Sequence, residues 1–142
     1  MLYFAYGSNM NYTQMRRRCP GATPVGVALI KGQKLVFRNV ADIIPDKGQS
    51  VQGVIWKITD KCLKALDKYE GFPRLYGRKN YTAILVDEGR KVKVMAYFMQ
   101  KGPKLSPPSR GYLHIIKEGY EQFDIDARKD LLKPNSNTKK GE

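Results

Sequence analysis

Extended segments fill most of this 142-residue chain, and helical patterns interrupt them at irregular intervals. Strands are predicted where β-branched and aromatic residues cluster between turn-forming residues, at positions 2–6, 23–30, 33–39, 51–58, 81–86 and 92–98. A doubly wound parallel sheet needs strands and helices that alternate regularly, and these segments do not. The sequence therefore predicts the α+β class, with a mixed, curved sheet or small β-barrel and helices at its periphery.

Capping residues mark the first two predicted helices. Asn11 can cap a short helix, which the Cys-Pro-Gly sequence at 19–21 ends. Thr59 or Asp60 begins a second helix, in which apolar residues at near-helical spacing share one side. Gly71 is suited to cap the C-terminal end of this second helix.

Two further helices are predicted in the C-terminal third of the chain. Residues 106–108 begin the longer one, whose apolar face carries Leu113, Ile116 and Tyr120. A short helix is predicted at 126–132. Residues 134–142 are polar and have nothing to bury, so they are predicted to form a disordered tail after one domain that spans 1–133.

Polar stretches that contain glycine are predicted to connect the strands. Residues 31–32 join two of the strands, and residues 87–90 have the Asp and Gly chemistry of a hairpin turn. The stretch 42–50, which contains proline and glycine, is predicted to be a polar excursion between strands.

Apolar segments in this chain are too short for a membrane helix. The runs at 25–30 and 92–99 fall far below the roughly 20 residues that span a bilayer. The N-terminus has neither a basic n-region nor a sustained apolar segment, so it does not resemble a signal peptide. We therefore expect a cytoplasmic protein without a membrane segment.

The residues that bind metals in proteins are scarce here. Cys19 and Cys62 are far apart in sequence, and His114 is the only histidine. A zinc site is therefore not expected. Both cysteines are predicted to be small buried apolar residues, and His114 to be a packed or surface residue of a helix.

The formal net charge of +13 leaves open a function in binding nucleic acid or a protein partner. A basic surface can bind nucleic acid, with an affinity that falls steeply as salt rises, or a protein partner. The basic residues are dispersed, however, and Arg16–Arg18 is the only run of three. Nucleic acid is therefore a possible partner that the sequence does not favour, and the charge is equally suited to attracting an anionic substrate.

The first loop, residues 6–10, is a candidate anion site. It consists of Tyr6, Gly7, Ser8, Asn9 and Met10 and leads from a strand through glycine into a helix. Successive backbone amides in such a turn can bind a carboxylate or phosphate. An ordinary strand-to-helix turn has the same pattern, so the spacing alone leaves both interpretations open.

Glu70 is a candidate proton-transfer group. It lies in the last turn of the second predicted helix, at the negative end of the helix dipole, and Tyr69 and Phe72 are aromatic neighbours that can exclude water. Both effects raise the pKa of a carboxyl group. A solvated glutamate beside a glycine cap would have the same sequence.

Four segments together resemble the γ-glutamylcyclotransferase family. Residues 3–10, Tyr-Phe-Ala-Tyr-Gly-Ser-Asn-Met, are similar to its N-terminal signature, and Leu66-Asp67 followed by Glu70-Gly71 resembles its catalytic-glutamate segment. Gly-Val-Ile-Trp at 53–56 is similar to the strand before the catalytic helix, and the segment 107–116 resembles a later one. The match runs from about residue 2 to residue 119.

The resemblance implies a fold, an enzyme and a site. The fold would be a cyclotransferase-like small mixed β-barrel with peripheral helices, and Glu70 would be the general acid and base. The loop 6–10 would bind a small γ-glutamyl substrate through its backbone amides. Tyr76 and Tyr112 resemble substrate-site tyrosines of the family.

The reaction implied is the cyclisation of a γ-glutamyl amide to 5-oxoproline, without a metal or other cofactor. The family also includes γ-glutamylamine cyclotransferases and an enzyme that removes a γ-glutamyl cap from an antibiotic, so the substrate stays open. The alternative is a non-catalytic member of the fold that binds nucleic acid or a protein partner through its basic surface. The sequence does not indicate an oligomeric state.

Overall fold

The computed structural model describes residues 1–99 and 103–126. Within them, five strands form a closed barrel in the order β1-β3-β2-β4-β5, and three α-helices lie outside it. The strands are β1 (Leu2–Ala5), β2 (Thr23–Arg38), β3 (Val40–Lys57), β4 (Tyr76–Leu85) and β5 (Lys91–Met99). The helices are α1 (Tyr12–Arg18), α2 (Asp60–Glu70) and α3 (Arg110–Gln122), and a 3₁₀ turn covers Ser8–Met10. The predicted α+β class and small mixed barrel are confirmed.

The barrel is mixed because one of its strand pairs is parallel. β1 runs antiparallel to β3 and parallel to β5, where Tyr3 lies opposite Met95. Three of the four residues of β1 are buried. This short strand therefore closes the barrel and leads directly from its interior into the first loop.

β2 and β3 form one long antiparallel hairpin, which differs from the sequence prediction. The chain turns at Asn39, which has a left-handed φ of 70°, and the strand pairing resumes at once. Lys31 pairs with Ser50 and Gln33 pairs with Pro45, so residues 46–49 bulge opposite Gly32. The prediction of an excursion over 42–50 is wrong, because the polar, glycine-containing sequence marks a bulge within the hairpin and not the end of a strand.

Hydrogen bonds and an ion pair explain how the charged residue Asp42 can lie inside this hairpin. Its side chain is 1% exposed and accepts hydrogen bonds from the main-chain N–H groups of Ile43 and Met99, at 2.8 and 2.9 Å. Arg38 pairs with its other oxygen at 3.0 Å. A buried carboxylate needs this set of donors, and here they fix the tip of the hairpin to β5.

The predicted helices begin and end close to their expected caps. The side chain of Asn11 accepts from Gln14 N–H at 3.0 Å at the start of α1, and that of Thr59 accepts from Cys62 N–H at 3.1 Å at the start of α2. Gly71 ends α2 with a φ of 69°. The helix expected from residues 106–108 begins at Arg110, with Ser109 as its cap. The predictions for 126–132 and 134–142 lie almost entirely outside the described residues.

One strand boundary differs from its prediction, whereas three side chains lie where the sequence predicted them. β4 begins at Tyr76, five positions before the predicted strand at 81–86. Cys19 and Cys62 are buried with free thiols, as predicted, and His114 lies on the exposed side of α3. No helix among the described residues is both long enough and apolar enough to cross a membrane.

Close backbone approaches fix the elements around the first loop. A Cβ atom on Gly53 of β3 would lie 2.4 Å from the carbonyl oxygen of Ala5 in β1. A Cβ atom on Gly119 of α3 would lie 3.0 Å from the main-chain nitrogen of Asn11. Glycine at these two positions lets β3 and α3 pack directly against the two ends of the loop.

Candidate active site

A cavity of about 230 Å³ opens where β1 meets the 3₁₀ turn. Its walls come from β1, the first loop, the hairpin tip, the end of α2, β4, β5 and α3. The lining residues are Tyr3, Phe4, Tyr6, Gly7, Ser8, Asn9, Val40, Ala41, Tyr69, Glu70, Leu75, Tyr76, Tyr97 and Tyr112. The cavity thus brings together all of the candidate site residues predicted from the sequence except Met10.

Among residues 1–99 and 103–126, Glu70 is the only carboxylate that lines this cavity. It is the last residue of α2, and the Asn9 side-chain amide donates to its Oε2 at 3.5 Å. Burial raises the pKa of Glu70 from its ordinary value of 4.5 to about 7, although the nearby charge of Arg18 lowers it. A carboxyl group with this pKa can both take up and return a proton near neutral pH.

The sequence predicted that Tyr69 and Phe72 would help to raise the pKa of Glu70 by excluding water, and only Tyr69 lines the cavity. Burial dominates, and Tyr69 contributes to it as a lining residue. Phe72 was expected to help exclude water, but it lies outside the lining and packs under the guanidinium of Arg78, with 4.3 Å between Arg78 Cζ and the ring centroid.

The first loop contributes Gly7, Ser8 and Asn9 to the cavity, but not Met10. The Met10 side chain is fully buried in the core, and its main-chain N–H donates to the Gly7 carbonyl at 3.1 Å. Its amide is therefore used within the 3₁₀ turn. Residues 6–9 are thus the part of the loop that lines the cavity, so the candidate substrate contact at Met10 is not supported by its position.

Three tyrosines that the sequence indicated are held in place by main-chain groups. The hydroxyl of Tyr6 donates to the Tyr97 carbonyl and that of Tyr76 to the Ala41 carbonyl, both at 2.7 Å. The Tyr112 hydroxyl accepts from the Ala41 N–H at 3.0 Å. Burial raises the pKa of Tyr112 to about 12 and that of Tyr76 further, so both phenols are neutral near pH 7.

Sequence reasoning missed half of the lining. The missed residues are Tyr3, Phe4, Val40, Ala41, Tyr69, Leu75 and Tyr97, although Tyr69 was considered as a neighbour of Glu70. The signal that could have found some of them is composition, since six of the nine tyrosines line this one cavity. Tyr97 is also tied to α2, because its hydroxyl donates to Asp67 at 2.6 Å.

The arrangement supports proton transfer on a small polar molecule. One carboxyl group with a pKa near neutrality lies among neutral phenols and the main chain of the first loop. Among residues 1–99 and 103–126, no group of three or more His, Cys, Asp or Glu side chains could hold a metal ion.

Replacing Glu70 by glutamine should stabilise the folded protein above pH 7. The pKa of Glu70 is higher in the folded than in the unfolded state, so its contribution to stability is full below about pH 4.5 and is lost as pH rises through about 7. A pKa gap of about 2.5, at about 1.4 kcal/mol per unit, sets an upper value of roughly 3.5 kcal/mol. Denaturant unfolding at two pH values measures this: Glu70→Gln should gain stability over the wild type at about pH 8 and little at about pH 5. An equal difference at both pH values would contradict the burial of an ionised Glu70.

Comparisons with known proteins give a consistent result. A family model described as γ-glutamyl cyclotransferase, AIG2-like, matches residues 3–120. The chain is 30% identical to the γ-glutamylcyclotransferase of Bos taurus, over 94% of this chain and 79% of that protein, and 30% identical to that of Homo sapiens, over 98% and 82%. A solved structure described as a γ-glutamyl cyclotransferase superposes with a TM-score of 0.82 at 27% identity, over 96% of this chain and 85% of that one.

Proposed function

Because the chain belongs to the γ-glutamyl cyclotransferase, AIG2-like family, we propose that it cyclises a γ-glutamyl amide to 5-oxoproline and releases the free amine or amino acid. The observation that carries the proposal is the position of Glu70. Among the described residues it is the single carboxyl group that lines the cavity, it has a pKa of about 7, and the Asn9 side chain of the first loop donates to it at 3.5 Å.

The reaction makes one bond and breaks one. The α-amino nitrogen of the γ-glutamyl group attacks its own γ-carbonyl carbon, and the new carbon–nitrogen bond closes the five-membered lactam. The original amide bond then breaks. Glu70 as carboxylate accepts a proton from the α-ammonium group and, as the acid, delivers a proton to the leaving nitrogen, so that Glu70 ends in the form in which it began.

Positioning supplies much of the rate enhancement in such a reaction. The nucleophile and the electrophile belong to the same molecule, and well-oriented intramolecular reactions gain roughly 7–11 kcal/mol relative to separate reactants. We assign this task to residues 7–9, whose main chain would hold the substrate carboxylate, and to Tyr76 and Tyr112. The two tyrosines are suited to the task because Ala41 fixes both hydroxyl groups.

Proton transfer by a positioned side chain adds roughly 10²- to 10⁴-fold. This contribution is largest when the pKa of the group lies close to the working pH, and burial raises the pKa of Glu70 to about 7. The Tyr76 and Tyr112 hydroxyls do not offer a comparable group, because burial raises the pKa of both and each is hydrogen-bonded to the main chain of Ala41.

A substrate panel tests the proposal. The purified protein is incubated with γ-glutamyl dipeptides, γ-glutamylamines and a γ-glutamyl-capped amine, and mass spectrometry is used to score 5-oxoproline and the released amine. Stoichiometric formation of both products from at least one substrate is expected. A protein that forms no 5-oxoproline from any of them, while remaining folded, would contradict the proposed reaction and favour a non-catalytic role.

The pH dependence of turnover is a separate prediction. Glu70 must be ionised to accept the first proton, so kcat/KM should rise about tenfold per pH unit below about pH 7 and level off above it. Steady-state kinetics between roughly pH 5 and 8.5 on the best substrate measure the profile. A profile with no inflection near neutrality would show that another group carries the proton.

A further inference from the structure

Arg18 lies behind the cavity wall and contacts three of the residues that form it. It is the last residue of α1 and partly buried. Its Nη1 donates to Asn9 Oδ1 and, at 3.4 Å, to Ser8 Oγ. Its Cζ lies 3.4 Å from the centroid of the Tyr69 ring. Arg18 therefore connects the first loop to the end of α2 without lining the cavity itself.

We propose that Arg18 is a positioning residue that fixes which end of the Asn9 side-chain amide faces Glu70. Its positive charge also favours the ionised form of Glu70. This inference rests on the proposed role of Glu70 as the proton-transfer group. It assigns a task to a side chain that the sequence showed only as part of a basic run.

The hydrogen-bonding chemistry of the two groups determines the orientation of the amide. A guanidinium group has donors and no acceptor, so it can bind only the oxygen end of the Asn9 amide. The nitrogen end then points the other way, where it donates to Tyr3 Oη at 3.1 Å and to Glu70 Oε2 at 3.5 Å. Without Arg18, the amide can rotate and present its oxygen to the carboxylate, which is unfavourable for the ionised form.

The charges around Glu70 make Arg18 distinctive. Among the described residues, the other titratable side chains that line the cavity with Glu70 are phenols, and they are Tyr3, Tyr6, Tyr69, Tyr76, Tyr97 and Tyr112. The carboxylates nearby are already paired, Asp42 with Arg38 at the hairpin tip and Asp67 with Arg78 across α2 and β4. Arg18 is the charged group that lowers the pKa of Glu70 against the effect of burial.

The neighbouring residue provides a matched control. Arg17 lies next to Arg18 at the end of the same helix, but its side chain is exposed. Arg17→Gln and Arg18→Gln remove the same charge one residue apart. Any effect that depends only on net charge or on the helix end should be equal in the two variants.

Carbon-13 NMR titration of the Glu70 carboxyl group tests the inference without a substrate. An opposite charge near a carboxyl group lowers its pKa by one unit or more, so Arg18→Gln should raise the pKa of Glu70 by about one unit, whereas Arg17→Gln should leave it unchanged. The side-chain amide signals of Asn9 should follow the Glu70 titration in the wild type and in Arg17→Gln, and should stop following it in Arg18→Gln.

Arg18→Lys keeps the positive charge and removes the planar fork, so it covers the case in which Arg18→Gln does not fold. In Arg18→Lys, the pKa of Glu70 should be close to its wild-type value, but the Asn9 side-chain amide signals should not follow the Glu70 titration as they do in the wild type. An unchanged Glu70 titration and unchanged Asn9 signals in either Arg18 variant would overturn the inference. Neither readout needs turnover. The outcome of the NMR experiment is therefore independent of whether the protein cyclises any of the substrates tested.

Discussion

Glu70→Gln is expected to fold like the wild type and to retain about 1% of its turnover or less. Glutamine keeps the shape of the side chain but cannot accept the proton of the α-ammonium group or return one to the leaving nitrogen. General acid–base groups usually contribute roughly 10²- to 10⁴-fold, and the described part of the chain has no second carboxylate in the lining that could take over. The loss should therefore appear in kcat and not only in KM.

Glu121→Gln is the matched control for this experiment. Glu121 lies on the exposed side of α3, away from the cavity lining, so the same chemical change there should leave kcat unaffected. Steady-state kinetics of both variants, with circular dichroism to show that both are folded, decide the question. Retention of more than about a tenth of wild-type kcat by Glu70→Gln would remove Glu70 from its proposed role, because such a loss is far smaller than acid–base roles imply.

Capping and turn residues predicted the helices of this fold better than composition predicted its strands. Asn11, Thr59 and Gly71 act locally, through hydrogen bonds and backbone conformations within a few residues, so their effect can be predicted without the tertiary structure. The long hairpin was missed because Asp42 is stabilised inside it by Met99, a residue from a distant strand. Such pairing is not visible in a local window.

The same distinction applies to the candidate site. Glu70 and the loop 6–10 could be singled out because each has a local pattern and both match segments of the family. Tyr97 and Arg18 could not, because each reaches the site through a contact with another element: Tyr97 through Asp67 of α2, and Arg18 through Asn9. Cations at helix ends are common, so the position of Arg18 carried no specific information.

Family membership constrains the chemistry more than the substrate. An identity of 30% to the mammalian γ-glutamylcyclotransferases supports an enzyme of this family. Two of the lining side chains, Leu75 and Tyr69, are about half exposed, so part of the cavity wall is open to solvent. Side chains at an open rim impose few fixed contacts, which is why the substrate panel includes dipeptides, amines and a capped amine.

Gly7→Val is expected to lower kcat/KM by on the order of 100-fold, mainly by weakening substrate binding. A Cβ atom on Gly7 would lie 3.0 Å from Tyr112 Oη and 3.1 Å from Ala41 Cβ, and the two methyl groups of valine extend further. Both neighbours line the cavity, and Ala41 also holds the Tyr76 hydroxyl. Displacements of about 1 Å in a site of this kind can cost 10²-fold in rate.

Two controls separate this effect from a general loss of stability. Gly111→Val places the same side chain where a Cβ atom has nothing within 4 Å, so its kinetics should match the wild type. Ser8→Ala leaves the main chain of the loop intact and should be milder than Gly7→Val. If the loop amides bind the substrate carboxylate, KM should rise strongly in Gly7→Val and little in Ser8→Ala. A crystal structure with a substrate analogue is a second test. A carboxylate bound elsewhere, for instance on Arg16, would refute the role of the loop amides. KM should change more than kcat because the substrate carboxylate takes no part in the reaction. Losing its contacts weakens substrate binding more than it slows the proton transfers at Glu70.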